Sequence, residues 1–143
     1  MSETLKNTHE ILFTPVKIGG LELKNRYVLA PIGPSGLCNA DGTFNDRGVN
    51  FYVERARGGT GLLMTGTTMV ENEIEKCALP SIPCPTLNPL DFIKTAKIMT
   101  ERVHAYGAKM FLQLTAGFGR VAIPAIVGKT AVAPSPIQSV AGL

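Results

Sequence analysis

The chain has no tryptophan, three cysteines among 143 residues, and only 17% charged residues. No stretch of it is apolar for long enough to cross a bilayer as a helix. The leader Met1-Ser2-Glu3-Thr4-Leu5-Lys6-Asn7 has no basic segment followed by an apolar one. No secretory signal is expected from it, and a cytoplasmic protein is the expectation. The 14 Lys and Arg are scattered without a run, and the net charge is only +3. A nucleic-acid footprint would need a basic stripe or a known module, so no nucleic-acid partner is expected. Cys38, Cys77 and Cys84 are odd in number and irregular in spacing, which argues against a disulfide framework. Cys77 and Cys84 lie too far apart for a CxxC pair, and neither His9 nor His104 completes a zinc pattern. Free thiols in a reducing compartment are expected.

What is present is a globular balance, 45% hydrophobic, sized for a single domain. Residues 1–12 read as a polar leader. Val16 and Ile18 alternate around Lys17, and Leu21 and Leu23 around Glu22, with Gly19-Gly20 between them. That pattern predicts a two-residue β-hairpin. Arg26 to Pro31 is a continuous apolar run, as in a strand covered on both faces, with Pro31 as its end. Residues 32–42 read as loop. Val49, Tyr52, Val53 and Ala56 recur at helical spacing over Asn45–Arg57, and Gly58-Gly59 supply the stop. Residues 61–66 predict a second buried strand, and 67–87 a long connection. Asn88 as cap, Pro89 at the first position and Asp91 in the first turn open a second helix. Its stripe is Phe92, Ala96, Met99, Val103 and Tyr106, and Gly107 ends it. Lys109–Leu114 predict a third strand, with loop beyond Thr115.

Strands alternating with helices imply βαβ units and a parallel sheet. Ligands then sit beyond the carboxyl ends of the strands. Those ends read Ala30-Pro31-Ile32-Gly33-Pro34-Ser35-Gly36, Thr65-Gly66-Thr67-Thr68 and Gln113-Leu114-Thr115-Ala116-Gly117. They are small or glycine-bearing, which suits a flat cofactor approached by backbone groups. Gln113 breaks an apolar strand. Its amide can donate and accept, matching a flavin pyrimidine edge, or it can bond to neighbouring backbone. Gly117-Phe118-Gly119-Arg120-Val121-Ala122 formally fits a dinucleotide fingerprint. Pro124 stands where its helix should run, and no acidic residue follows, so that reading is set aside. His104, Arg55 and Arg57 read as helix-surface residues and Asp41-Gly42 as a turn. No metal site is expected, and no nucleophile–base pair stands out; catalytic residues are left unassigned.

Leu12-Phe13-Thr14-Pro15, Leu23-Lys24-Asn25-Arg26-Tyr27-Val28-Leu29-Ala30-Pro31 and Tyr52-Val53-Glu54-Arg55-Ala56-Arg57-Gly58-Gly59 resemble segments of the Old Yellow Enzyme family, the NADH:flavin oxidoreductases. Lys109–Leu114 resembles the third barrel strand of that family, and Ala131–Ser135 the segment that follows. The nearest branch resembles the enoate and dienoyl-CoA reductases. The resemblance implies an α/β fold: an incomplete (β/α)8 (TIM) barrel with an N-terminal hairpin on its floor, three parallel strands and two helices. Residues 13–143 would be the N-terminal part of that barrel, cut short before closure. Carried over residue by residue, Ala30, Pro31, Ile32 and Gly33 would lie against FMN, Thr67 beside them, and Gln113 on the pyrimidine edge. Many members have Cys or Thr where this chain has Gly33. The loop after the third strand is one residue longer than usual before Arg120, which leaves a rim role for Arg120 open.

The implied activity is hydride transfer from NADH or NADPH through FMN to the C=C bond of a small enone- or enoate-type substrate. The family's carbonyl-gripping pair, proton-donating tyrosine and phosphate loops would come later than this sequence. The rivals are a non-catalytic truncated fragment without flavin, alone or joined to a second copy or complementing chain, and another barrel enzyme sharing only the architecture.

Overall fold

Val16–Ile18 (β1) and Leu21–Leu23 (β2) form an antiparallel hairpin across Gly19-Gly20. Gly19 alone takes positive φ, at 58°, the pattern of a turn whose first central residue must be left-handed. The computed structural model describes residues 9–73, 76, 81–117 and 119. A single 3-10 turn, Glu10–Phe13, precedes the hairpin. The motif that follows it is an anchor. Lys24 Nζ donates to the Tyr106 carbonyl at 2.7 Å, and Asn25 Nδ2 to the Gly59 carbonyl at 2.7 Å. Arg26 Nε donates to Thr14 Oγ1 at 3.2 Å. A Cβ at Gly61 would strike the Asn25 carboxamide. Lys24 and Asn25 therefore tie the hairpin to both helix-to-strand turns, at the amino ends of the next strands, and Arg26 ties it to the segment before the hairpin.

Val28–Ile32 (β3), Leu62–Met69 (β4) and Lys109–Thr115 (β5) form a parallel sheet in the order β3-β4-β5. Asp46–Arg57 (α1) and Pro89–Ala105 (α2) connect them. Leu29, Leu63 and Met110 pair in register across the sheet and pack against the helices. The core joins them to Val49, Tyr52 and Ala56 of α1 and to Phe92, Met99 and Val103 of α2. Asn45 caps α1: its Oδ1 accepts from Gly48 N at 2.9 Å, while its Nδ2 donates to the Gly36 and Cys38 carbonyls. Asn88 caps α2 and reaches Asp41 Oδ2 at 3.0 Å, coupling the two loops at this end.

Several expectations are corrected. Pro31 does not end β3 but lies within it, where the register with β4 shifts between Leu29 and Ile32. A proline is tolerated there because an irregular pairing asks for no ladder donor. β4 runs on to Met69, past the expected Gly66, so Thr67 is a strand residue. The described part of the following connection folds back: Met69 N donates to the Pro83 carbonyl and Cys84 N to that of Gly42. Cys84 is disulfide-bonded, against the expectation of free thiols. Linear spacing carried no sign of that fold-back. The loop after β3 is ordered by packing, with Leu37, Cys38 and Phe44 buried and a Cys38–Phe44 bridge. Arg55 is no mere solvated side chain. Its guanidinium lies 3.4 Å from the Phe51 ring centroid and donates to the Phe51 carbonyl. Tyr106 drops off the apolar stripe as the exposed C-cap of α2. β3 and β5 are largely exposed, and among the described residues each has a neighbour strand on one side only.

Two outcomes follow. Alanine exceeds glycine in helix propensity by about 1 kcal/mol, yet a Cβ on Gly48 would run into the Leu37 carbonyl. Overpacking of about 1–3 kcal/mol wins. Gly48→Ala is expected to lower unfolding free energy by about 1–2 kcal/mol, read from the denaturant midpoint. Asp41 is held below the ordinary carboxylate range by the Thr43 hydroxyl and amide and by Asn88. Its contribution is therefore present above the unfolded-chain value near 4 and lost as pH falls through the lower folded value. The stability gap between wild type and Asp41→Ala should be constant near neutrality and shrink in acid denaturation below about pH 4.

Candidate cofactor site

The three strands end around one cavity of about 220 Å³. β3 and its following loop contribute Pro31, Gly33, Pro34, Leu37 and Phe44; α1 contributes Tyr52. Gly66 and Thr67 come from β4, Gln113 from β5, and Ser81, Ile82 and Pro83 from the connection after β4. A complete small-molecule pocket is typically about 300–1,000 Å³, so this cavity has the size of part of a larger site.

Of the residues expected from sequence, Pro31, Gly33, Thr67 and Gln113 meet at the cavity. Thr67 and Gln113 are register partners on neighbouring strands. Ala30 and Ile32 lie on β3 outside the lining, and the Ile32 carbonyl accepts from the Tyr52 hydroxyl. Gly33 is explained by contact. A Cβ there would sit 3.0 Å from Gly66 Cα, and a Cβ on Gly66 would strike the Gly33 backbone. The two strand ends touch main chain to main chain.

Both strand pairs lose ladder register here, between Leu29 and Ile32 and between Met64 and Thr67. A hydroxyl lies at or just past each irregularity. Tyr52 Oη donates to the Ile32 carbonyl at 3.0 Å and accepts from Gly66 N at 2.9 Å. Thr65 Oγ1 accepts from Gln113 N at 3.0 Å. Burial pushes the Tyr52 phenol above its ordinary value, partly opposed by the Gly66 amide. It stays protonated at neutral pH and keeps its donor. Burial and Asp41 push up the Cys38 thiol, which makes it a poor nucleophile. Thr68 Oγ1, one residue past Thr67, is buried with no hydrogen-bond partner among the described residues.

Sequence reasoning placed Tyr52 on a helix stripe and missed its hydroxyl. The available signal was chemical: a buried tyrosine needs a partner for its O–H. Leu37, Phe44 and Ser81–Pro83 had no periodic signal at all. Arg120 and Ala131–Ser135 lie outside the described residues.

A profile described as NADH:flavin oxidoreductase / NADH oxidase family matches residues 11–139. The chain is 74% identical over 133 residues to the cinnamate reductase of Clostridium sporogenes, covering 93% of this chain and 20% of that protein. It is 36% identical over 128 residues to an NADH oxidase of Thermoanaerobacter brockii, covering 88% of this chain and 19% of that protein. Among solved structures it superposes on an Old Yellow Enzyme from Pichia sp. with a TM-score of 0.71 at 29% identity, covering 89% of this chain and 32% of that one. Morphinone reductase gives 0.72 at 27% identity, covering 91% and 34%. The chain thus spans about a fifth of the length of these curated relatives and a third of these solved chains. Its hairpin, three parallel strands and two helices form part of an Old Yellow Enzyme (β/α)8 barrel, and the chain belongs to the NADH:flavin oxidoreductase / NADH oxidase family.

Proposed function

We propose that Ala30, Pro31, Ile32, Gly33, Thr67 and Gln113 hold the ring system of FMN for reduction of an activated C=C bond, with NADH or NADPH as electron donor. The observation that supports this best is the meeting of Gly33, Thr67 and Gln113 at one cavity beyond three parallel strand ends. The residues fit a flat heterocycle. Around Gly33 and Gly66 the wall is bare backbone, and contact leaves no room for a Cβ on Gly66. Gln113 lines the other side with one acceptor and two donors on its amide. The chemistry FMN supplies when bound is hydride transfer between a nicotinamide and the β-carbon of an α,β-unsaturated carbonyl or carboxylate.

The part played by this chain is binding and positioning. Gln113 offers hydrogen bonds to a donor–acceptor edge. The Tyr52 phenol, protonated and engaged on both sides, is not available as a proton donor to substrate. Leu37, Phe44, Ile82 and Pro83 give the cavity wall its apolar side chains. The similarity to a cinnamate reductase supports a small enoate-type substrate. A nicotinamide donor fits the cytoplasm. A second reading, a fragment that needs a complementing chain or another copy, is favoured by the exposed Val28 and Ile32 on β3 and Phe111 and Leu114 on β5.

Visible spectra of the purified chain with added FMN test the first reading. Stoichiometric bound flavin supports it; colourless, aggregating protein overturns flavin binding by this chain alone and favours the second. Gln113→Leu should then weaken FMN binding about tenfold, the worth of one net hydrogen bond. Its melting temperature should not move, because the side chain is exposed.

A further inference from the structure

We infer that Tyr52 is a positioning residue for the cofactor wall: its hydroxyl joins the ends of β3 and β4 just past their last register pair, holding Gly33 and Thr67 at the spacing the site requires. This inference rests on the FMN reading above. The phenol is 1% exposed, and its ring stands edge-on to Phe44 at 6.4 Å and to Phe51 at 5.0 Å between centroids. Helix α1 and the β3–α1 loop therefore set where the hydroxyl lies. From there it donates to the Ile32 carbonyl and accepts from Gly66 N. Both partners directly precede the cavity residues Gly33 and Thr67. Ile32 and Thr65 are the last register pair of β3 and β4, and just past them Gly33 and Gly66, with no side chains, meet main chain to main chain. Contact resists compression but not separation. The hydroxyl adds a tie past the Ile32–Thr65 pair, and it is the only part of Tyr52 that Tyr52→Phe removes.

The test uses the full chain and three variants, with FMN as ligand. Tyr52→Phe keeps the ring and its packing. Gly66→Ala keeps the phenol but forces the Ile32–Gly33 backbone away. Val103→Ala is a control that removes core volume on α2, with no contact to the cavity. The readouts are FMN affinity, the position and fine structure of the bound flavin's visible band, hydrogen exchange at the Gly66 amide, and melting temperature. Tyr52→Phe should weaken FMN at least about tenfold, alter the band, and speed Gly66 exchange. Gly66→Ala should reproduce the loss of affinity and the band change. Val103→Ala should lower the melting temperature while leaving band and affinity as in wild type. The inference is overturned if wild type binds FMN and Tyr52→Phe binds it equally well with the same band. It is equally overturned if affinity merely follows melting temperature across all three variants; the flavin site itself then stands. If wild type takes up no FMN, the flavin reading fails and the positioning role falls with it.

Discussion

A parallel sheet is held together by evenly spaced ladder bonds, and this one gives them up where its strands meet the cavity. Past the break between β3 and β4, beyond the Ile32–Thr65 pair, the two backbones approach until Gly33 and Gly66 touch. Beside that approach the Ile32 carbonyl is part-buried and the Gly66 amide is buried, and each needs a partner. A buried backbone group left unpaired costs about 1–3 kcal/mol. The Tyr52 hydroxyl satisfies both at once, since a phenol donates one bond and accepts another. Between β4 and β5, Thr65 Oγ1 accepts from the Gln113 amide. Both irregularities are thereby stable features of the sheet, and both lie at the end that carries the site.

The opposite end is built on different terms. There Lys24 and Asn25 bind main-chain carbonyls, fixing the hairpin against the turns that enter β4 and β5, and Arg26 binds a threonine hydroxyl in the segment before the hairpin. Lys24 also places a positive charge at the carboxyl end of α2, where the helix dipole favours it. This matches the general division of labour in parallel α/β folds, with stability at the amino ends of strands and chemistry at the carboxyl ends. The caps add a third tie. Asn45 and Asn88 start the two helices and, through Asp41, hold the cavity loops together.

Much of the architecture was legible because it is local. The hairpin follows from alternation around Gly19-Gly20, and both helices from apolar spacing bounded by Asn caps and glycine stops. The strands were legible as apolar runs, although their ends were not. β3 passes through Pro31 and β4 runs on to Met69 because pairing with neighbours, rather than composition, decides where a strand stops. At the site, Gly33, Thr67 and Gln113 could be nominated because parallel topology says that strand ends converge. Leu37, Phe44 and Ser81–Pro83 could not, since they reach the cavity through loop packing with no period to read.

The sequence by itself determined the alternation of strand and helix, the capping of the helices, and the family, through motifs whose residues lie side by side in the chain. Only the tertiary structure decided which glycines face each other, what the tyrosine of α1 does with its hydroxyl, and that Cys84 is not a free thiol. The physical reason is distance along the chain. Capping, turns and apolar periodicity act over a few residues, where local sterics and hydrogen bonding suffice. The contacts of Gly33 with Gly66, and of Tyr52 with both strand ends, arise only after the helices have packed the strands into one sheet.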